Sequence, residues 1–271
     1  MTGQPPAPAR IADYDVVETL PRQGSETYLL ARPPARLGLL TDRVVIKVMD
    51  GRHEVDRFHR IAEELRRFAF VGSQHLVMLY DAGSDDGHLW YSMEHRPMGT
   101  LAEPVGQLTP QQCLSAVADA ARGAHALHEA GIAHRDIRPG TVLLGASHAA
   151  LADPDLTRFL SHGQTVTSAA PVSDLEYLDP ALIRGETPGR PSDVWALGLT
   201  LHRTLTGLSA YPEISPEAGT LPAVRRILSG GPEISTHLDT AVAEVIRSCV
   251  APDPSDRPST ALALAEEIEA L

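Results

Sequence analysis

Lys47 is the single lysine of the chain; the other 22 basic residues are arginines. A guanidinium is a planar fork, whereas an ammonium is a compact point charge. In an arginine-biased sequence, one lysine marks a place where an ammonium is needed and a guanidinium would not fit. It closes the run Val44-Val45-Ile46-Lys47, whose β-branched residues read as a strand. Further along, AHRDIRPGTVLL (Ala133 to Leu144) carries His134, Arg135, Asp136 and Arg138. LADPDLTRF follows with Asp153 and Asp155. Carboxylates in such loops can accept a proton or offer hard oxygen to a divalent cation. Two more stretches stand out: DVWALG (Asp193 to Gly198) and DPSDRP (Asp253 to Pro258).

A lone HRD is weak evidence. A strand lysine, HRD, an Asp-containing triplet, DVWALG and DPSDRP in that order resemble the eukaryotic-type Ser/Thr protein kinase family of bacteria, over roughly residues 13–271. The resemblance implies an α+β, bilobal protein-kinase fold, with a small β-rich N-lobe holding one helix and a larger helical C-lobe. It implies ATP and Mg²⁺ as cofactors. Lys47 would hold the α- and β-phosphates and pair with a helix glutamate. Glu64 is that glutamate: it shares the apolar stripe of Ile61 and Phe68, where a charge needs an internal partner, while Glu63 lies on the wet face with His59, Arg60, Arg66 and Arg67. Asp136 would take the proton of the substrate hydroxyl, and Asp153 would hold Mg²⁺. Val45 stands where a small residue packs on adenine. Met93 resembles the gatekeeper, Glu94 to Arg96 the hinge, and Leu143 part of the adenine floor.

The departures are as informative. Thr141 stands at the second metal-ligand position, where a neutral hydroxyl is a poorer ligand than an amide carbonyl. DFG reads Asp153-Pro154-Asp155, which restricts the backbone and removes an aromatic that should pack beneath Phe68. The phosphate-covering loop reads LPRQGSETY and keeps only Gly24, so close approach of N–H groups to phosphate is impaired. APE reads Asp179-Pro180-Ala181, and Asp179 is expected to replace the carboxylate that Arg257 has lost. Arg138 replaces a catalytic-loop lysine, and Asp174, counted back from Tyr177, replaces its threonine partner. A bidentate Arg138–Asp174 pair at the mouth of the site is expected. Altered together, these parts imply a pseudokinase that binds or regulates another protein, with weak nucleotide binding. The retained Lys47, Asp136 and Asp153 support the other reading, an active but degenerate Ser/Thr kinase.

Strands must carry the lysine and helices the loops. YDVVETL, ETYLLAR, RVVIKVM, LVMLYDAG and HLWYSMEH read as strands between Gly, Pro and Asp clusters. His53 to Phe70 has helical spacing. Helices are expected from the capping box Thr109 to Gln112 up to Gly131, from about Ser192 to Thr206, through THLDTAVAEVIRSCV with Leu238, Val242, Val245, Ile246 and Cys249 on one face, and after Pro258. Residues 1–12 read as disordered, 13–95 as the N-lobe and 96–271 as the C-lobe.

Composition excludes several classes. Apolar residues make 43% and charged residues 21%, a globular balance. No run approaches the ~18 apolar residues of a membrane span, and the N-terminus lacks the apolar core of a secretory signal. Cys113 and Cys249 cannot form a disulfide framework and read as buried, reduced thiols in helices. A cytoplasmic protein is expected. The net charge of −12 disfavours nucleic-acid binding and favours a basic protein partner. His125 and His128, at i and i+3, read as packing or surface residues rather than metal ligands. Ser161, Thr165, Thr167 and Ser168 are candidate phosphosites.

Overall fold

The computed structural model describes residues 10–20, 26–49, 55–152, 172–214 and 219–271. They fall into two units. One holds the described residues up to Phe70 together with Val77–His95; the other holds Val71–Leu76 and Arg96–Leu271.

The first unit is an antiparallel sheet in the order β1-β2-β3-β4-β6-β5. Its strands are β1 (Arg10–Ile11), β2 (Tyr14–Thr19), β3 (Thr27–Arg32), β4 (Val44–Val48), β5 (Leu79–Asp85) and β6 (His88–Glu94). Side chains alternate between faces with a period of two. Leu29, Ala31, Val44, Ile46 and Trp90 share one buried face with Tyr14. Tyr14 stands edge-on to Trp90 at 5.3 Å, and its hydroxyl meets Ser92 Oγ at 2.8 Å. The opposite face carries two cross-strand rows, Tyr28–Lys47–Tyr91 and Leu30–Val45–Met93. Helix α1 (Val55–Phe70) buries Ile61, Ala62, Leu65 and Phe68.

The second unit is helical: α2 (Pro110–Glu129), α3 (Pro180–Ile183), α4 (Arg190–Thr206), α5 (Thr220–Ser229), α6 (Thr240–Cys249) and α7 (Ala261–Glu269). Thr109 and Gln112 close the expected capping box on α2, and Gly131 takes φ 72° just past its end. Central helix α4 begins at Arg190, two residues before Ser192, because Pro191 is accommodated in its first turn. It ends on Gly207 at φ 68°. Helix α6 is shorter than its apolar pattern: Asp239 is the residue before its first turn, and Ala243, Ile246 and Cys249 are its buried face. Val242 and Val245 are half-buried beside them, and Leu238 precedes the helix. Cys113 and Cys249 are free, buried thiols. A hairpin, β7 (Val142–Leu143) with β8 (Ala150–Leu151), completes the unit.

Leu76 does not start β5. It bridges Leu151 in the helical unit, where Leu151 N–H also donates to His75 O at 2.8 Å. Gly123 on α2 permits this docking, since a Cβ there would fall on the His75 carbonyl. Among the described residues no helix is long and apolar enough to cross a membrane.

Candidate active site

The loop Ala133 to Thr141 is shaped by one buried carboxylate. Asp193, in the first turn of α4, accepts from His134 N at 2.7 Å and Arg135 N at 2.9 Å. These bonds hold Arg135 at φ 71°, a left-handed conformation that residues other than glycine seldom adopt. His128 meets the same carboxylate through Nε2 at 2.8 Å. A carboxylate only accepts here, so His128 donates. No sequence signal singles out His128 beyond its spacing from His125.

His134 couples this loop to the next strand. Asp136 N–H donates to its Nδ1 at 3.3 Å, which leaves Nε2–H to donate to Ala152 O at 2.9 Å. Ala152 N–H in turn donates to Thr141 O at 2.8 Å. The loop and the residue before Asp153 are therefore tied together by hydrogen bonds in both directions.

Thr141 is buried and its hydroxyl is committed. Oγ1 accepts from Arg138 N at 3.1 Å and donates towards Asp136 O at 2.8 Å and Arg138 O at 3.0 Å. It pins the turn behind Asp136 and has little left to offer a cation. Among the described residues no group of three His, Cys, Asp or Glu side chains could hold a metal. Asp153 and its neighbours Pro154 and Asp155 lie outside the described residues, as do Gly24 and the candidate phosphosites.

Arg138 lies between two carboxylates. Its Nε is 3.4 Å from Asp136 Oδ2 and 3.8 Å from Asp174 Oδ2. The expected bidentate Arg138–Asp174 pair is not realised: Asp174 meets Nε alone, as an ion-pair contact too long for a hydrogen bond, and the nearer carboxylate is Asp136. A cavity of about 420 Å³ opens beside it, lined by Arg138, Asp174, Glu176, Tyr177 and Arg203 among others. Burial and the neighbouring Glu176 push the Tyr177 hydroxyl well above the usual tyrosine range.

On the sheet, Lys47 is 6% exposed. Its ammonium lies 5.6 Å from the Tyr28 ring centre and 5.9 Å from that of Tyr91. Among the described residues, Glu26 places a carboxylate on it. The expected Lys47–Glu64 pair is not formed. Glu64 instead accepts from Arg67 Nη1 at 3.0 Å, one turn along its own helix. An i,i+3 arginine is always within reach of a helical glutamate, whereas the strand lysine must be met by a packing arrangement.

The remaining expected residues are placed as follows. Val45 and Met93 are buried cross-strand neighbours on the Lys47 face. Glu94 ends β6, with its N–H donating to Met78 O at 2.8 Å. Arg96 belongs to the helical unit, where Nη1 donates to His148 O at 2.8 Å. Leu143 is half-buried on β7, opposite in direction to the buried Val142.

The Protein kinase domain family model matches residues 39–268. This chain belongs to that family. The kinase domain is 29% identical over 268 residues to the probable serine/threonine-protein kinase PkwA of Thermomonospora curvata, covering 97% of this chain and 35% of the relative. It is 28% identical over 237 residues to the serine/threonine-protein kinase PknL of Mycobacterium tuberculosis, covering 84% and 59%. It is 30% identical over 269 residues to PknB of the same species, covering 94% and 42%. The chain thus spans less than two thirds of each of these relatives' length. The bilobal kinase fold and its bacterial Ser/Thr kinase kinship are those the motif order implies.

One substitution within the kinase domain is compensated in place. Asp179, at the first position of the altered APE, faces Arg257 as a two-pronged ion pair and caps α3 by accepting from Ala181 N at 2.9 Å.

Proposed function

We propose that this kinase domain is a pseudokinase: a regulatory or scaffolding module in signalling, with weak or absent transfer of the ATP γ-phosphate. The observation that carries this reading is Thr141, whose hydroxyl is spent on the backbone around Asp136. Phosphoryl transfer depends mainly on positioning and on metal charge. A site that gives up one metal ligand loses part of both. Glu64 bound to Arg67 supports the same reading, since that carboxylate is engaged within its own helix rather than on the strand lysine. Mg²⁺ and ATP remain the family's cofactors, and their binding here is weak. The partner is another protein, met through the helical unit, and the net charge of −12 favours one with a basic surface in the cytoplasm.

One observation favours an active, degenerate Ser/Thr kinase instead. Asp136 keeps an ordered loop, braced by Asp193 and His134, with a cation beside it, and the relatives are named as Ser/Thr kinases. A melting experiment separates the two. With ATP at a hundred times its dissociation constant, about 2.7 kcal/mol of stabilisation accompanies binding. The pseudokinase reading expects little shift at sub-millimolar ATP and little gain from Mg²⁺ or Mn²⁺. A large Mg²⁺-dependent shift would overturn the weak-site expectation and favour the active reading.

A further inference from the structure

We infer that Glu26 is a built-in competitor for the anion that Lys47 would otherwise hold, and so sets how well this domain takes a nucleoside polyphosphate. The inference rests on the reading of a weak nucleotide site and gives it a cause.

The geometry is a consequence of strand alternation. Tyr28, Lys47 and Tyr91 are directly opposed on β3, β4 and β6, so their side chains rise from one face. The two rings stand on either side of the ammonium across the sheet. Glu26 precedes Tyr28 by two residues, and the period of two delivers its carboxylate to the same face. It lands on Lys47 Nζ. Both side chains are largely shielded, at 8% and 20% exposure.

A shielded ammonium selects strongly for anionic oxygen, because bulk water is not there to solvate it. Carboxylate and phosphate satisfy it in the same way. A polyphosphate reaching Lys47 must therefore displace Glu26 and leave that carboxylate to be resolvated or repelled. The apparent affinity is reduced by the fraction of molecules in which Lys47 has been released. Uncharged parts of a nucleotide do not meet this competition. The device thus discriminates by charge: it weakens ATP and ADP and leaves adenosine alone.

The test compares ATP, ADP and adenosine by calorimetry on the full chain, as the parent and as Glu26→Gln and Glu26→Asp. Loss of the carboxylate is expected to tighten ATP by roughly tenfold relative to adenosine, the scale of one shielded charge contact. Glu26→Asp, which keeps the charge, should stay within a few-fold of the parent. An unchanged ATP-to-adenosine ratio in a folded Glu26→Gln overturns the inference while leaving the weak-site reading intact. Tight Mg²⁺-ATP binding by the parent overturns both. Should Glu26→Gln fail to fold, the parent still decides. Lys47 is the single lysine, so selective lysine labelling gives one side-chain resonance. Saturating ATP must move it and saturating adenosine must not; a resonance that ATP leaves in place overturns the inference.

Discussion

Arg257 holds Asp179 with both prongs of its guanidinium, Nη1 to Oδ2 at 2.5 Å and Nη2 to Oδ1 at 3.2 Å, at 1% and 2% side-chain exposure. The same guanidinium donates to the carbonyls of Ala251 and Pro191 and lies 4.9 Å from the Trp195 ring. Removing one partner strands the other charge in the interior. Asp179→Asn or Arg257→Met should therefore cost about 3–5 kcal/mol in urea unfolding. Arg257→Lys should also destabilise, because an ammonium cannot reproduce the fork.

Gly198, inside the DVWALG run, lies against α6. A Cβ added there would fall on Cys249 Cβ. Gly198→Ala should cost about 1–3 kcal/mol despite its better helix propensity. Adding Cys249→Ala should not rescue it, since alanine keeps the offending Cβ. Equilibrium unfolding of the single and double variants checks this.

His128 braces the HRD turn through Asp193. His128→Leu would leave a buried carboxylate short of a donor, at a cost of roughly 1–3 kcal/mol. Amide exchange at His134 and Arg135, which share that carboxylate, should quicken more than exchange in α6 or α7. Uniform quickening would instead mean general loosening.

Stability should hold a plateau bounded at both ends of the pH scale. Burial pushes the Cys249 thiol up to about 12 from its usual 9.0, and raises Cys113, Tyr14, Tyr177 and Tyr211 as well. These groups stay protonated longer in the folded chain than in the unfolded one. Their stabilisation is full below the unfolded values and is lost as pH rises past about 9, at no more than ~1.4 kcal/mol per pH unit for each group. Burial lowers His202, whose Nε2 accepts from Ser235 N at 3.1 Å. Its contribution is full above 6.5 and declines as pH falls from there. Urea midpoints measured from pH 5 to 10.5 should fall off on both sides, and Cys249→Ala should flatten the alkaline side.

The parts legible in the sequence were those set by local rules. Strand alternation placed Lys47, Val45 and Met93 on strands, and Thr109 and Gln112 marked a helix start that the structure realises. The carboxylate at position 179 was identified because Arg257 needed one. Partner choice among several reachable groups was not legible. Glu64 on an apolar stripe needed a cation, and the pattern could not say that Arg67 would supply it rather than Lys47. Glu26 carries no signal of its own: it lies just before the strand, and no pattern says which of the nearby carboxylates meets Lys47. Helix α5 has no counterpart among the expected helices; its Pro222 falls in the first turn, where proline is tolerated.

The docking of Val71–Leu76 onto the helical unit has a consequence for how that unit can be made. Its strap is encoded ahead of β5 and β6, while its mates, Gly123 and Leu151, follow them. During synthesis the strap leaves the ribosome first and waits for some 75 residues of chain before Leu151 can receive it. Cutting the gene at residue 96 to express the helices alone would discard the strap and leave Leu151 N–H and the groove over Gly123 bare. The two units are distinct bodies, but they are not separable by a single cut.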